Sequence, residues 1–213
     1  MGNASRVLRL LGATLAVTVG LAACGGAPPA PLPTPQPGAV ALTVTSEQFV
    51  NATLVRPRYT CDGLNISPSV TWTGVPEGTI ALALVLEDPE APGETFTHWL
   101  VYDIPPDLDQ LEEGRGGALN TINLGGVQGM NSYNSLGYAG PCPPEGETHT
   151  YTLHLYALDA LVAVGPRGER AEVLEAMAGH IIGYGALAGV YARTETSEGN
   201  VVFGGTPTPT PAP

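Results

Sequence analysis

Ile80-Ala81-Leu82-Ala83-Leu84-Val85-Leu86 is an unbroken apolar run of seven residues, followed at once by Glu87-Asp88-Pro89-Glu90-Ala91-Pro92. A run of this length, closed by a turn, reads as a strand buried on both faces at the centre of a sheet. Strand signals continue on either side. Leu42-Thr43-Val44-Thr45 alternates, Ser69-Val70-Thr71-Trp72 is short and β-prone, and His98 to Ile104 and His149 to Leu158 are two more strands. Gly, Pro, Asn and Asp separate them, which is the turn chemistry of a mainly β domain. One segment reads as a helix. Glu169 to Ile182 places Val173, Met177 and Ile181 at four-residue spacing, and Glu169 and Glu172 complement the dipole of the first turn. Strand character returns at Ala186 to Tyr191. Between Pro105 and Gly140 lie 36 residues with eight glycines and little periodicity; a loop this long in a compact domain is often functional.

Two short segments carry the chemistry. The first is Asp88-Pro89-Glu90-Ala91-Pro92, with His98 soon after. The second is Gly140-Pro141-Cys142-Pro143-Pro144, followed by His149-Thr150-Tyr151. Proline fixes φ, so side chains on such turns have little freedom to lose. Carboxylates and imidazoles on stiff turns point to a pre-formed polar pocket. The plainer alternative is that the Asp-Pro turn is only a turn and that each His bonds a carbonyl. On the strand from His149, residues 149, 151, 153 and 155 share a face, so His149 and Tyr151 point together and His154 points away. His98 opens its strand after a turn, which puts it at a sheet end. His154, and His180 within the helix, read as ordinary core or surface histidines.

The ends read as export machinery. Arg6 and Arg9 precede a 12-residue apolar run, Leu10 to Leu21, too short to span a bilayer. Leu21-Ala22-Ala23-Cys24-Gly25 resembles the lipobox of bacterial lipoproteins, in which the Cys thiol is lipidated; the alternative is an ordinary secretory signal with a chance Cys. The expected organisation is a signal peptide over 1–23, lipidated Cys24 and a Pro-rich linker over 24–41, one domain over 42–203 and a Thr/Pro-rich tail over 204–213. Six prolines between Pro28 and Pro37 favour an extended linker that, at roughly 3.1 Å per residue, reaches up to ~50 Å.

The chain has 8 basic and 20 acidic residues, a net charge of −12, and no Lys. Residues 1–23 hold two Arg and no acid, so the mature charge is −14. Such a chain has no basic footprint for nucleic acid or anionic lipid. With Cys24 taken by the anchor, Cys61 and Cys142 remain as an even pair in an oxidising compartment. A disulfide between them is expected, two free thiols being the alternative.

Taken in order, these motifs resemble the phosphatidylethanolamine-binding protein family, in particular its bacterial Raf-kinase-inhibitor-like branch. Tyr59-Thr60-Cys61-Asp62-Gly63-Leu64-Asn65-Ile66-Ser67-Pro68 is similar to that branch's opening signature, and Asp88-Pro89-Glu90-Ala91-Pro92 to its Asp-Pro-Asp-x-Pro motif. Thr97-His98-Trp99 matches the His that follows. Gly137-Tyr138-Ala139-Gly140-Pro141-Cys142-Pro143-Pro144 with His149-Thr150-Tyr151 resembles the second signature, which usually ends His-Arg-Tyr. The resemblance implies a large antiparallel sheet packed with a smaller sheet and a few peripheral helices. It implies a pocket at one end of the sheet for phosphate-like anions and phosphoethanolamine-type headgroups. Carried over by position, Asp88, Glu90, His98, His149 and Tyr151 line it, and Gly140, Pro141 and Pro143 shape its mouth. Glu90 replaces the usual Asp and Thr150 the common Arg; both changes are expected to weaken anion affinity.

The expected function is that of a membrane-tethered, extracytoplasmic binding domain of a bacterial cell envelope, with no cofactor. Protonated His98 and His149 would donate to anion oxygens, with Asp88 and Glu90 orienting the rings or accepting from an ammonium group. An inhibitor of a protease or other protein partner, docking through the 105–140 loop, is a second reading that rests on analogy. A metal-dependent hydrolase is a third, although no His-x-x-x-His, His-Glu-x-x-His or Gly-x-Ser-x-Gly spacing occurs.

Overall fold

The computed structural model describes residues 30–49, 53–117 and 125–193. The expected signal peptide, Cys24 and the expected 204–213 tail therefore lie outside the described residues. In chain order the strands are β1 (Val40–Ala41), β2 (Thr43–Thr45), β3 (Thr53–Leu54), β4 (Val70–Thr73), β5 (Ala81–Asp88), β6 (Phe96–Ile104), β7 (Gln110–Leu111), β8 (Val127–Gln128), β9 (Thr148–Leu158) and β10 (Ile181–Ala192); helix α1 (Arg170–Met177) precedes β10.

The apolar run becomes β5, buried at every position. It sits inside a sheet ordered β1-β10-β9-β5-β6-β8, with β3 also on β10, and a second sheet is ordered β2-β4-β7. The large sheet is mixed rather than purely antiparallel, because short β1 and β3 both run parallel to β10. The long strands β10, β9, β5 and β6 are antiparallel neighbours, as expected.

Each face of the large sheet buries its own core. One face packs Leu82, Leu84 and Leu86 of β5 with Trp99, Leu153 and Leu155 against Val44, Val70 and Trp72 of the small sheet. The other packs Ala83 and Val85 with Tyr156 and Leu158 against Val173, Leu174 and Met177 of α1. Strand β10 alternates buried and half-buried positions. Its inward positions 183, 185 and 189 are Gly, and a Cβ at Gly189 meets the Phe49 ring at 2.7 Å. The small-sheet side sits that close because those positions lack side chains.

The helix is shorter than its periodicity predicts. It ends at Met177, and Gly179 follows with φ of 82°, a left-handed turn that stops the helix. Ile181 therefore opens β10 instead of closing α1, although it still joins the α1 core. His180 falls in the connecting turn, where its Nδ1 lies 2.8 Å from Asp159 Oδ1.

Residues 30–41 are packed on the domain. Leu32 joins the α1-side core, Arg170 donates to the Ala30 carbonyl, and the Gln36 backbone N–H donates to Ile181 O at 3.0 Å. Much of the expected linker is thus docked, which shortens its free reach.

Candidate functional site

The chain leaves β5 through Asp88 into the Pro89–Pro92 turn. Asp88 Oδ1 accepts the Glu90 backbone N–H at 2.8 Å, an Asx turn that fixes the carboxylate at the sheet end. Its other oxygen, Oδ2, accepts from His149 Nδ1 at 2.7 Å. The pair is almost dry, with both side chains about 5 % exposed. His149 Nε2 donates in turn to Glu147 Oε2 at 3.1 Å. Burial pulls the His149 pKa down, but the bonds to Asp88 and Glu147 outweigh it and hold the ring above its ordinary value. Both ring nitrogens are engaged, so His149 is a clamped cation rather than a free donor.

His98 arrives by a different device. Leu86 pairs with Trp99 and Glu87 with Thr97, so one step on β5 spans two on β6. His98 is the extra residue of this β-bulge, and a bulge re-aims a side chain. Its ring lies edge-on to Tyr151, with centroids 5.1 Å apart. Nδ1 donates to the Ala139 carbonyl at 2.7 Å, and the Ala139 N–H donates back to His98 O at 2.8 Å. A carbonyl only accepts, so the proton sits on Nδ1 and Nε2 of the neutral ring carries the lone pair. Burial lowers the His98 pKa from 6.5 to about 4. At neutral pH this ring accepts hydrogen bonds through Nε2 and does not carry charge.

These groups surround a hollow of about 300 Å³ lined by Asp88, His98, His149, Pro143, Phe96, Tyr133 and Arg193, among others. Four of the expected residues thus line it: Asp88, His98, Pro143 and His149. Glu90, Gly140, Pro141 and Tyr151 do not. Glu90 turns back and accepts the Thr150 backbone N–H. Gly140 N–H donates to Asn65 Oδ1 at 2.7 Å, and a Cβ there would stand 2.3 Å from Tyr59 O, so only Gly fits. Pro141 O accepts from Cys61 N. Tyr151 sits behind the histidines, fully buried, and its hydroxyl has no hydrogen-bond partner among the described residues. Burial, with the nearby Asp88 charge, holds the phenol above its usual pKa and therefore neutral.

The wall carrying Pro143 is pinned by the Cys61–Cys142 disulfide, whose Cα atoms are 5.4 Å apart. Arg193 was not found from the sequence. It extends the β9–β10 ladder by exchanging backbone bonds with Glu147 and Gly146, and its guanidinium meets Asp62 at 3.2 Å and Glu145 at 3.9 Å. The available signal was its period-two phase with Tyr191 at the end of the last strand. It brings a cation, paired with Asp62 and Glu145, to the wall of the hollow on a chain that has Thr150 where the family commonly has Arg. Phe96 and Tyr133, 4.6 Å apart in edge contact, form the apolar lip. Among the described residues no group of three or more His, Cys, Asp or Glu side chains is arranged to hold a metal ion.

Comparison with known proteins covers the same region. A family profile described as "Phosphatidylethanolamine-binding protein" matches residues 45–192. A UPF0098 protein of Methanothermobacter thermautotrophicus is 44% identical over 152 residues, covering 71% of this chain and 99% of its own. A Mycobacterium tuberculosis protein named "Putative lipoprotein LppC" is 34% identical over 194 residues, covering 84% and 93%. Among solved structures, Escherichia coli YbcL, titled a member of the mammalian PEBP family, superposes with a TM-score of 0.67 at 32% identity, covering 71% of this chain and 98% of that one.

Proposed function

This chain belongs to the phosphatidylethanolamine-binding protein family, and from that premise we propose that the hollow at the end of β5 binds the zwitterionic headgroup of a phosphoethanolamine-type ligand. The observation that carries this reading is the convergence of Asp88, His98 and His149 on one hollow with Arg193 at its wall. Arg193 offers the phosphate a fixed positive charge. Asp88 and the lone pair of His98 accept from the ammonium. His149, held cationic between Asp88 and Glu147, offsets the carboxylates that would otherwise repel the phosphate. A neutral His98 cannot donate to a fully ionised anion, so bare phosphate fits less well than a ligand that also brings protons.

The similarity to a lipoprotein supports placing this domain on the outside of a cell envelope, tethered through Cys24, and the disulfide supports an oxidising compartment. The domain is read as a binding protein, not a catalyst.

Calorimetry with phosphoethanolamine tests the reading. His98→Ala or His149→Ala should abolish measurable binding, while His154→Ala on the opposite face should not. Unchanged affinity in both site variants would refute it. Affinity should fall as pH rises through the raised pKa of His149, because the ring then loses its charge. A His149→Gln variant should lack that alkaline limb.

A further inference from the structure

Resting on the headgroup reading above and on lipidation of Cys24, we propose that the docked N-terminal strap sets the pocket rim against the leaflet that holds the anchor, so that the pocket takes lipid headgroups from that leaflet. Three observations lead there. First, the segment from Ala30 onward is fixed to the protein. Leu32 packs on the α1-side core, Ala30 to Thr34 lie along Ala171, Leu174, Glu175 and Ala178, and the Ala30 carbonyl is held by Arg170. Strand β1 then pairs with β10 at Gly183 and Tyr184. Second, only six residue steps lead from Cys24 to Ala30. Even fully extended, they reach about 21 Å, less than half the span of the whole linker.

Third, the strap's start and the pocket share one end of the large sheet. A cleft on the α1 side is lined by Ala30, Pro31, Leu32, Glu87, Pro89, Thr95 and Thr152. The headgroup hollow is lined by Asp88, Ala91, Phe96 and His149. Residues 87 and 88, 95 and 96 are chain neighbours facing opposite sides. The tether point therefore lies one sheet thickness from the pocket, at the same end. A short tether there leaves that end of the sheet facing the bilayer. The apolar lip of Phe96 and Tyr133, the latter 57% exposed, stands at this end as well. Aromatic rings of this kind suit the interface between headgroups and water. The acidic surface opposes anionic lipid, so the fitting leaflet surface is zwitterionic.

The test uses the full lipidated chain in phosphatidylcholine vesicles carrying a nitroxide on the headgroup. Tyr133→Trp supplies a fluorescent reporter at the lip, and the native protein, whose Trp72 and Trp99 are buried, supplies the background. The reporter should be strongly quenched. A Gly/Ser insertion of about twelve residues after Gly26, adding up to roughly 40 Å of reach, should remove most of that quenching, and so should Leu32→Asp, which undocks the strap. Equal quenching with and without the insertion, or none in the native leash, overturns the proposal. Phosphoethanolamine binding by the detergent-solubilised chain is measured in parallel. Loss of binding with quenching intact refutes the headgroup reading and leaves the strap geometry standing. Binding intact with no quenching refutes the strap proposal alone.

Discussion

The large sheet buries one carboxylate on each face at the same end, and the two are chain neighbours. Asp88 faces the small-sheet side and meets His149 at 2.7 Å; Glu87 faces α1 and meets Arg170 at 2.6 Å. Both are nearly dry. They differ in what happens when a partner is lost. An imidazole can shed its proton and become neutral, whereas a guanidinium cannot. The Arg170 side is therefore a permanent clamp under the strap, and the His149 side is a charge that pH and ligand can change. A fixed pair suits structure, and a titratable pair beside a hollow suits recognition.

The largest expected effect tests what holds the recognition face together. The Cys61–Cys142 bridge closes a sequence separation of 81 residues, for which chain-entropy arguments give about 4 kcal/mol. Reduction, followed by denaturant unfolding, should cost about that much and weaken phosphoethanolamine binding; the α1 face has no such bridge. A loss under about 1 kcal/mol would mean that the 140–144 wall is held by its other bonds.

Next comes the carboxylate pair itself. Glu87→Gln leaves the half-buried Arg170 guanidinium with the Ala30 carbonyl but no carboxylate, and should cost about 3 kcal/mol in urea unfolding at neutral pH. Asp88→Asn should cost less, about 1–2 kcal/mol, because His149 can deprotonate. Equal losses would erase the distinction between the two faces.

Acid titration sharpens it further. The folded pKa of His98 lies near 4, below its unfolded 6.5. The unfolded chain therefore binds more protons there, and stability present above pH 6.5 is lost as pH falls toward 4. The full depression corresponds to roughly 3 kcal/mol, of which only part is expressed at pH 5. His149 has the opposite sign, its stabilisation being complete below pH 6.5 and lost as pH rises through its raised folded value. A His98→Asn variant should flatten the acid limb and leave the alkaline one. A variant with the native acid limb would show that His98 stays accessible to protons. The smallest effect belongs to Arg193→Gln, expected to weaken phosphoethanolamine binding about tenfold, near 1.4 kcal/mol, by calorimetry with little change in stability.

Much of this was legible in the sequence because burial leaves a pattern. The Ile80–Leu86 run gave β5, and period-two spacing correctly put Tyr151 with His149 and His154 on the far face. Two departures share a cause: local geometry that breaks the period. Val173, Met177 and Ile181 do share a core, but Gly179 ends the helix between them, so equal spacing did not mean one element. The bulge at His98 resets the facing of β6, and composition does not announce a bulge. Glu90 followed its motif into the turn yet bonds the Thr150 backbone instead of lining the hollow. Arg193 was hidden because a lone cation at a strand end has no motif. The strap escaped notice because proline-rich composition forbids a core of its own but does not forbid lying on another element.

The glycines of β10 turn packing depth into something genetics can read. A saturation scan from Gly183 to Val190 should return a barcode of period two. Gly185 and Gly189 should reject even one added methyl, since Leu42, Val44 and Phe49 already fill that space, Gly183 should take one only where Pro76 and Leu42 shift by a few tenths of an ångström, and Ala186 and Ala188 on the outer side should accept most substitutions.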